Sequence, residues 1–167
     1  MSLFSKIFNY KNDTFILAKN SLDSIKTKLI NFSDNFPDVT IPELLFISNK
    51  WSDLPEKLGS GVSVLGLDLN KDYSSLLAVY KKDGFILPHE HKNEYELNRV
   101  IKGTILNKIT GELFKAGQTF TINKNQKHYL VAKEESYLYC IITPNKELLK
   151  KPRITQKILS NFKQFSH

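Results

Sequence analysis

The sequence predicts a mainly β fold, an antiparallel sandwich or jelly-roll barrel, with a helix flanking it at each end. Three observations carry that expectation. From Gly61 onward the apolar residues fall into short continuous or alternating runs, the pattern of buried and half-buried strands. The segments between the runs, NKD, KKDG, KG, TGELFKAG, NKNQ and KEE, supply the Gly, Asn and Asp that turns favour. On either side of this region the apolar spacing becomes helical.

Taken in chain order, residues 21–32 (SLDSIKTKLINF) place Leu22, Ile25, Leu29 and Phe32 on one helical face, with Ser21 as the N-cap. The next stretch, SDNFPDVTIPELLFISNKWSDLPEKLGSG, holds three prolines and reads as an irregular or short-stranded connection. It contains the single tryptophan, Trp51, and the apolar run ELLFIS. Both need burial, so this stretch is expected to wrap across the barrel rather than serve as a linker. Eight candidate strands follow: VSVLGLDL, SSLLAVYK, FILPHEH, YELNRVI, TILNKI, QTFTI, KHYLVA and SYLYCIIT. Pro88 cannot donate to a strand ladder, so its segment is expected at an edge or a bulge. A final helix over roughly residues 155–165 gathers Ile154, Ile158, Leu159, Phe162 and Phe165 into an apolar face. The expected organisation is therefore residues 1–60 as helix and wrapping segment, 61–144 as barrel and 145–167 as a basic terminal helix, all in one structural domain.

The chain has 167 residues, enough for one domain with a sizeable core. Its apolar share of 41% and charged share of 25% fit a soluble globular protein. No apolar run approaches the roughly 20 residues of a membrane span. The first residues, MSLFSKIFNYKNDTF, lack the long apolar stretch and small-residue cleavage site of a signal peptide. The lone cysteine, Cys140, lies in the apolar run YLYCIITP and reads as a buried thiol in a reducing cytoplasm. The net charge of +7 is concentrated at the C-terminal end. From Asn145 onward six Lys or Arg face one acid, Glu147, which leaves +5 there. Contact with nucleic acid is one reading of such a tail. The preferred reading is the solvated face of a terminal helix, because the segment is too short for a helix-turn-helix pair and lacks interleaved aromatics.

The chemistry concentrates in residues 84–103, GFILPHEHKNEYELNRVIKG. His89 and His91 stand two apart, so on a strand both imidazoles point to one side. Glu96 follows in the same hairpin, and His128 comes downstream. Three imidazoles and one carboxylate inside a barrel make a site for a divalent transition metal. Glu94 competes with Glu96 for the carboxylate place, but it would leave only two residues after His91 and a very tight turn. Its other roles are a hydrogen-bonding partner for an imidazole or a general base, and the expected one is an exposed turn carboxylate. Asn98 lies two beyond Glu96 and should also point inward, where it is the best polar substrate contact. By the same alternation Phe120, Ile122 and Leu130 line the interior, as substrate pocket or as plain core. Arg99, Tyr95 and Tyr129 alternate away from the site.

These intervals resemble the cupin family. Its first motif runs from a glycine through His-x-His and Glu to a second glycine, and the four residues between His91 and Glu96 and the six between Glu96 and Gly103 fit it. Gly84 supplies the leading glycine one residue short of the usual distance. The second motif is matched at Gly117, five residues on at Asn123, Lys124 and Asn125 in place of Pro-x-Gly, and at His128. Its final Asn is Ala132 here. Asn125 suits the glycine place because Asn tolerates left-handed backbone. Thirteen residues, 104–116, separate the motifs, and the resemblance spans roughly residues 61–144. It implies a double-stranded β-helix, with His89, His91, Glu96 and His128 as ligands to Fe, Mn, Ni, Cu or Zn. It also implies a homodimer and a small-molecule ligand. The implied activity is a dioxygenase, decarboxylase, isomerase or lyase, or else a sensing or structural cupin without catalysis.

Overall fold

The computed structural model describes residues 29–32, 38–40, 50–54, 56, 58–69, 72–150 and 152–165. Its strands are β1 (Leu29–Phe32), β2 (Asp38–Thr40), β3 (Ser52–Asp53), β4 (Gly59–Leu69), β5 (Ser74–Ile86) and β6 (His89–His91). They continue as β7 (Tyr95–Lys102), β8 (Thr104–Asn107), β9 (Leu113–Lys115), β10 (Thr119–Ile122), β11 (Leu130–Ala132) and β12 (Ser136–Thr143). One sheet has the order β2-β1-β6 and the other β10-β7-β12-β5-β11-β8-β9, with β4 on β5 and β3 on β4. All the pairings are antiparallel, and the strands curl into a nearly closed barrel. No described helix is long and apolar enough to cross a membrane.

The predicted strands are present, with three corrections. KKDG does not turn the chain: residues 81–84 lie within β5, which bends there and runs on to Ile86. Asp83 takes φ 64° at the bend. Gly84 lies so close to Gly61 of β4 that a Cβ on it would be 2.6 Å from the Gly61 carbonyl oxygen. Both strands deform together, as the register shift between Ser60 and Val62 records, so hydrogen bonding continues around the corner. Past the bend Phe85 pairs with Val131 of β11, and the first half of β5 pairs with β12. The second correction is β9, which forms inside TGELFKAG by pairing with β8. The third lies at Leu29–Phe32, where a strand replaces the end of the predicted helix because its backbone pairs with both β2 and β6. The rest of that helix, residues 21–28, and the run ELLFIS lie outside the described residues.

Alternation along β5 divides the core. Ala78 and Tyr80 join Val62, Val64, Val100, Ile105, Phe120, Ile122, Leu130, Ala132 and Leu138 in the barrel interior. Leu77 and Val79 face the other way, packing with Leu65, Tyr137 and Phe162. Gly103, the last glycine of the first motif, turns β7 into β8 at φ 86°. A Cβ there would sit 2.3 Å from Ser136 Oγ, so both the backbone and the space demand glycine.

The C-terminal segment closes the outer cluster. Helix α1 (Gln156–Ser160) is shorter than the predicted 155–165. Thr155 caps it, its side chain accepting from Ile158 N–H at 3.2 Å. Asn161 ends it by donating its side-chain amide to Lys157 O at 2.9 Å, and a 3-10 turn at Lys163–Phe165 follows. This arrangement still delivers the predicted apolar face. Phe162 stacks on Tyr137 with ring centroids 4.7 Å apart, and Trp51 meets Phe165 edge-on at 4.9 Å. Trp51 Nε1 donates to Asn161 O at 2.9 Å. Lys146, Lys150, Arg153, Lys157 and Lys163 are exposed, as a solvated basic face requires. Phe162→Ala should therefore cost about 3 kcal/mol of unfolding free energy or more, read by urea denaturation. The barrel interior should be unaffected, so metal uptake by the folded variant should match the wild type.

Candidate metal centre

The site is built by two backbone clips. His89 N–H donates to His128 O at 3.1 Å and His128 N–H returns the bond to His89 O at 2.9 Å. This reciprocal pair ties the two motifs together. The second clip joins their turns: Asn125 N–H donates to His91 O at 3.0 Å, and Asn125 Oδ1 accepts from Asn93 N–H at 3.2 Å. Asn125 does so at φ 58°, the left-handed conformation expected where the motif has glycine, and Asn93 stands at φ 59°. Strand alternation does the rest. His89 and His91 on β6 point inward. Glu96 enters from β7, between Ile122 of β10 and Ile142 of β12.

His89, His91, Glu96 and His128 are all buried, and their ligand atoms lie within 4.8 Å of one another. Glu96 Oε2 is 2.5 Å from His91 Nε2 and 3.3 Å from His128 Nε2. On the outer side of the rings, His89 Nδ1 meets Leu87 O at 2.7 Å and His128 Nδ1 meets Gln126 O at 3.3 Å. Those carbonyls hold a proton on Nδ1 and leave Nε2 facing inward. The inward nitrogens of His91 and His128 have no directional hydrogen bond. Buried polar atoms without such a partner are costly. A divalent transition metal satisfies them, and three imidazoles with a carboxylate are a donor set that such ions take.

Electrostatics at the site favour ligands ready to bind. Burial, and the neighbouring imidazoles His128 and His91, hold His89 well below its ordinary range, so it is neutral. Burial alone would raise Glu96, but His128 and His91 outweigh it and keep the carboxylate ionised well below its usual range. His128 shows the opposite balance: burial lowers it, yet the Glu96 carboxylate raises it above the ordinary histidine value.

No family model matches the sequence, and no curated protein matches it. Solved structures do. KdgF from Halomonas sp. superposes with a TM-score of 0.52 at 16% identity, covering 62% of this chain and 94% of that one. An RmlC-like cupin from Shewanella frigidimarina gives 0.51 at 16% identity, over 72% of this chain and 99% of that one. This chain has the cupin fold. An acetylacetone dioxygenase from Acinetobacter johnsonii is a further neighbour, with a TM-score of 0.52 at 14% identity over 57% of this chain and 68% of that one.

Within this fold the remaining predicted residues take varied places. Glu94 lies outside the four-residue cluster, but it is buried, where an exposed turn carboxylate was expected. It follows the left-handed residue Asn93, whose N–H is clipped to Asn125. Asn98 is buried and donates from Nδ2 to Glu96 Oε1 at 2.7 Å. Phe120, Ile122 and Leu130 pack in the inner apolar cluster. Arg99 faces outward, where Nη1 donates to Gly117 O and, at 3.3 Å, to Thr119 Oγ1. Tyr95 and Tyr129 also face away, with Lys124 and Lys108 over their rings.

Two inward residues escaped the sequence reading. Cys140 sits opposite Asn98 across the β7–β12 ladder, close enough to Glu96 to feel its charge. Burial, then the Glu96 charge, push its thiol well up, so it is an unreactive S–H. Tyr80 is likewise buried and raised, first by burial and then by Glu96. The signal for both was alternation: Tyr80 follows the inward Ala78 by two, and Cys140 lies between the inward Leu138 and Ile142.

The raised His128 fixes a sign. Its proton persists above the ordinary histidine range and must leave before Nε2 can bind a cation. Glu96 and His89 have none to lose. Zinc binding near neutral pH should therefore release the His128 proton, and affinity should fall as pH drops. Calorimetric titration in two buffers of different ionisation enthalpy reads this directly. An observed enthalpy independent of buffer would contradict it.

Proposed function

We propose that this cupin is a small metal-dependent enzyme acting on a small molecule, of dioxygenase, decarboxylase, isomerase or lyase type. The observation that carries the proposal is the convergence of His89, His91, Glu96 and His128 inside the barrel. A divalent transition metal held there keeps one or two coordination positions open, to polarise a carbonyl, activate water or, if it is iron, bind dioxygen. The chain's own contribution is positioning. The backbone clips between the motifs fix the three imidazoles, and Leu87 O and Gln126 O orient two of them. Phe120, Ile122 and Leu130 surround the site with apolar wall that excludes water. A dioxygenase stands among the neighbours of the same fold and supports the class. The fold itself hosts many chemistries and leaves the reaction to the site. In this reading the partners are a small-molecule substrate and a second copy of the chain. A reducing cytoplasm suits the single buried thiol.

Metal content tests the proposal. Untagged protein purified without chelator should carry close to one iron, manganese, nickel, copper or zinc per chain by mass spectrometry. The His89→Ala/His128→Ala double variant should carry none. Iron would direct oxygen-uptake screens and zinc would direct hydrolytic or sensing assays. No metal in either protein after reconstitution would overturn the enzyme reading in favour of a ligand-binding or scaffold cupin.

A further inference from the structure

The two oxygens of Glu96 have different surroundings. Oε2 faces His91 Nε2 and His128 Nε2 at 2.5 and 3.3 Å. Oε1 accepts a hydrogen bond from Asn98 Nδ2 at 2.7 Å. Asn98 is 2% exposed and Glu96 6%, so water does not compete for this bond. The donor is also held rigidly. Asn98 lies two residues from Glu96 on the same face of β7, paired on one side with Phe120 and on the other with Cys140. Its amide must present nitrogen to Oε1, since amide oxygen against carboxylate would repel.

We propose that Asn98 is a positioning residue which holds Oε1 away from the ion, so that Glu96 binds through Oε2 alone. The inference rests on the metal-centre reading above. A carboxylate free to turn about its last torsion can bind through either oxygen or through both. Two-oxygen binding would fill a coordination position that a substrate needs. With Oε1 engaged, that position stays open and the carboxylate is fixed before the ion arrives.

The test compares wild type, Asn98→Leu, Glu96→Ala and the Asn98→Leu/Glu96→Ala double variant. Zinc affinity is measured by chelator competition, and the visible spectrum of the cobalt-loaded proteins is recorded. Asn98→Leu is close in size and lacks the donor. It should weaken zinc binding roughly 10–100-fold and alter the cobalt spectrum as Oε1 is freed. In the Glu96→Ala background the same change should have little effect, because the group that Asn98 orients is gone. An equal loss in both backgrounds, or wild-type affinity with an unchanged spectrum, overturns the proposal. Should Asn98→Leu not fold, a crystal structure of the zinc-loaded wild type decides: Glu96 bound through both oxygens overturns it. Wild type that takes up no metal overturns the metal centre and this inference together. Metal uptake by wild type with an indifferent Asn98→Leu overturns this inference alone.

Discussion

The arrangement of the site depends on one pair of hydrogen bonds, the reciprocal exchange between the backbones of His89 and His128. These residues are 39 positions apart in sequence. A two-bond antiparallel bridge fixes the distance and facing of both Cα atoms, leaving only side-chain torsions to be set. Those are set in turn by the carbonyls of Leu87 and Gln126. The ligand geometry is therefore specified by main chain, which a change of surface residue does not disturb. The Asn93–Asn125 contact guards the same junction from the other end, where a polar side chain takes the structural place that proline and glycine hold in the family motif.

Placing three imidazoles and a carboxylate in an apolar barrel is expensive, and the structure shows how the cost is contained. The cluster carries a single ionised acid, Glu96, and the charge on it is answered by His128 and His91. His89 is kept neutral. Asn98 donates to the same carboxylate, so its other oxygen is also engaged. A buried charge retains its place only when it is paired and hydrogen-bonded in this way. The atoms left without a directional hydrogen bond include the inward nitrogens of His91 and His128, which a cation would bind.

Much of this was legible in the sequence, because strand alternation is a strict rule. It correctly pointed His89, His91, Glu96 and Asn98 to one interior and sent Arg99, Tyr95 and Tyr129 outward. The His-to-Glu interval separated Glu96 from Glu94, since only Glu96 clears the turn after His91. Local pattern failed where a non-local partner decides. Leu29–Phe32 has helical spacing, yet its backbone is taken by two neighbouring strands. KKDG has turn composition, yet a matching bulge in β4 carries the strand through it. Cys140 has no basic or histidine neighbour in sequence, and its approach to Glu96 exists only across the β7–β12 ladder.

The clasp between Trp51 and the C-terminal segment has a kinetic side. Trp51 Nε1 and Asn161 O are 110 residues apart in the chain, and Phe162 completes the cluster that Tyr137, Leu65 and Leu77 begin. Contacts of such long range form late, because the entropy of closing the loop comes due before the packing repays it. During synthesis the barrel strands emerge from the ribosome with their outer apolar face bare, and it stays bare until residues 161–165 follow. A chain without residues 161–165 would leave Leu77, Val79 and Tyr137 uncovered by Phe162. Until residues 161–165 cover it, that face is open to chaperones and to aggregation.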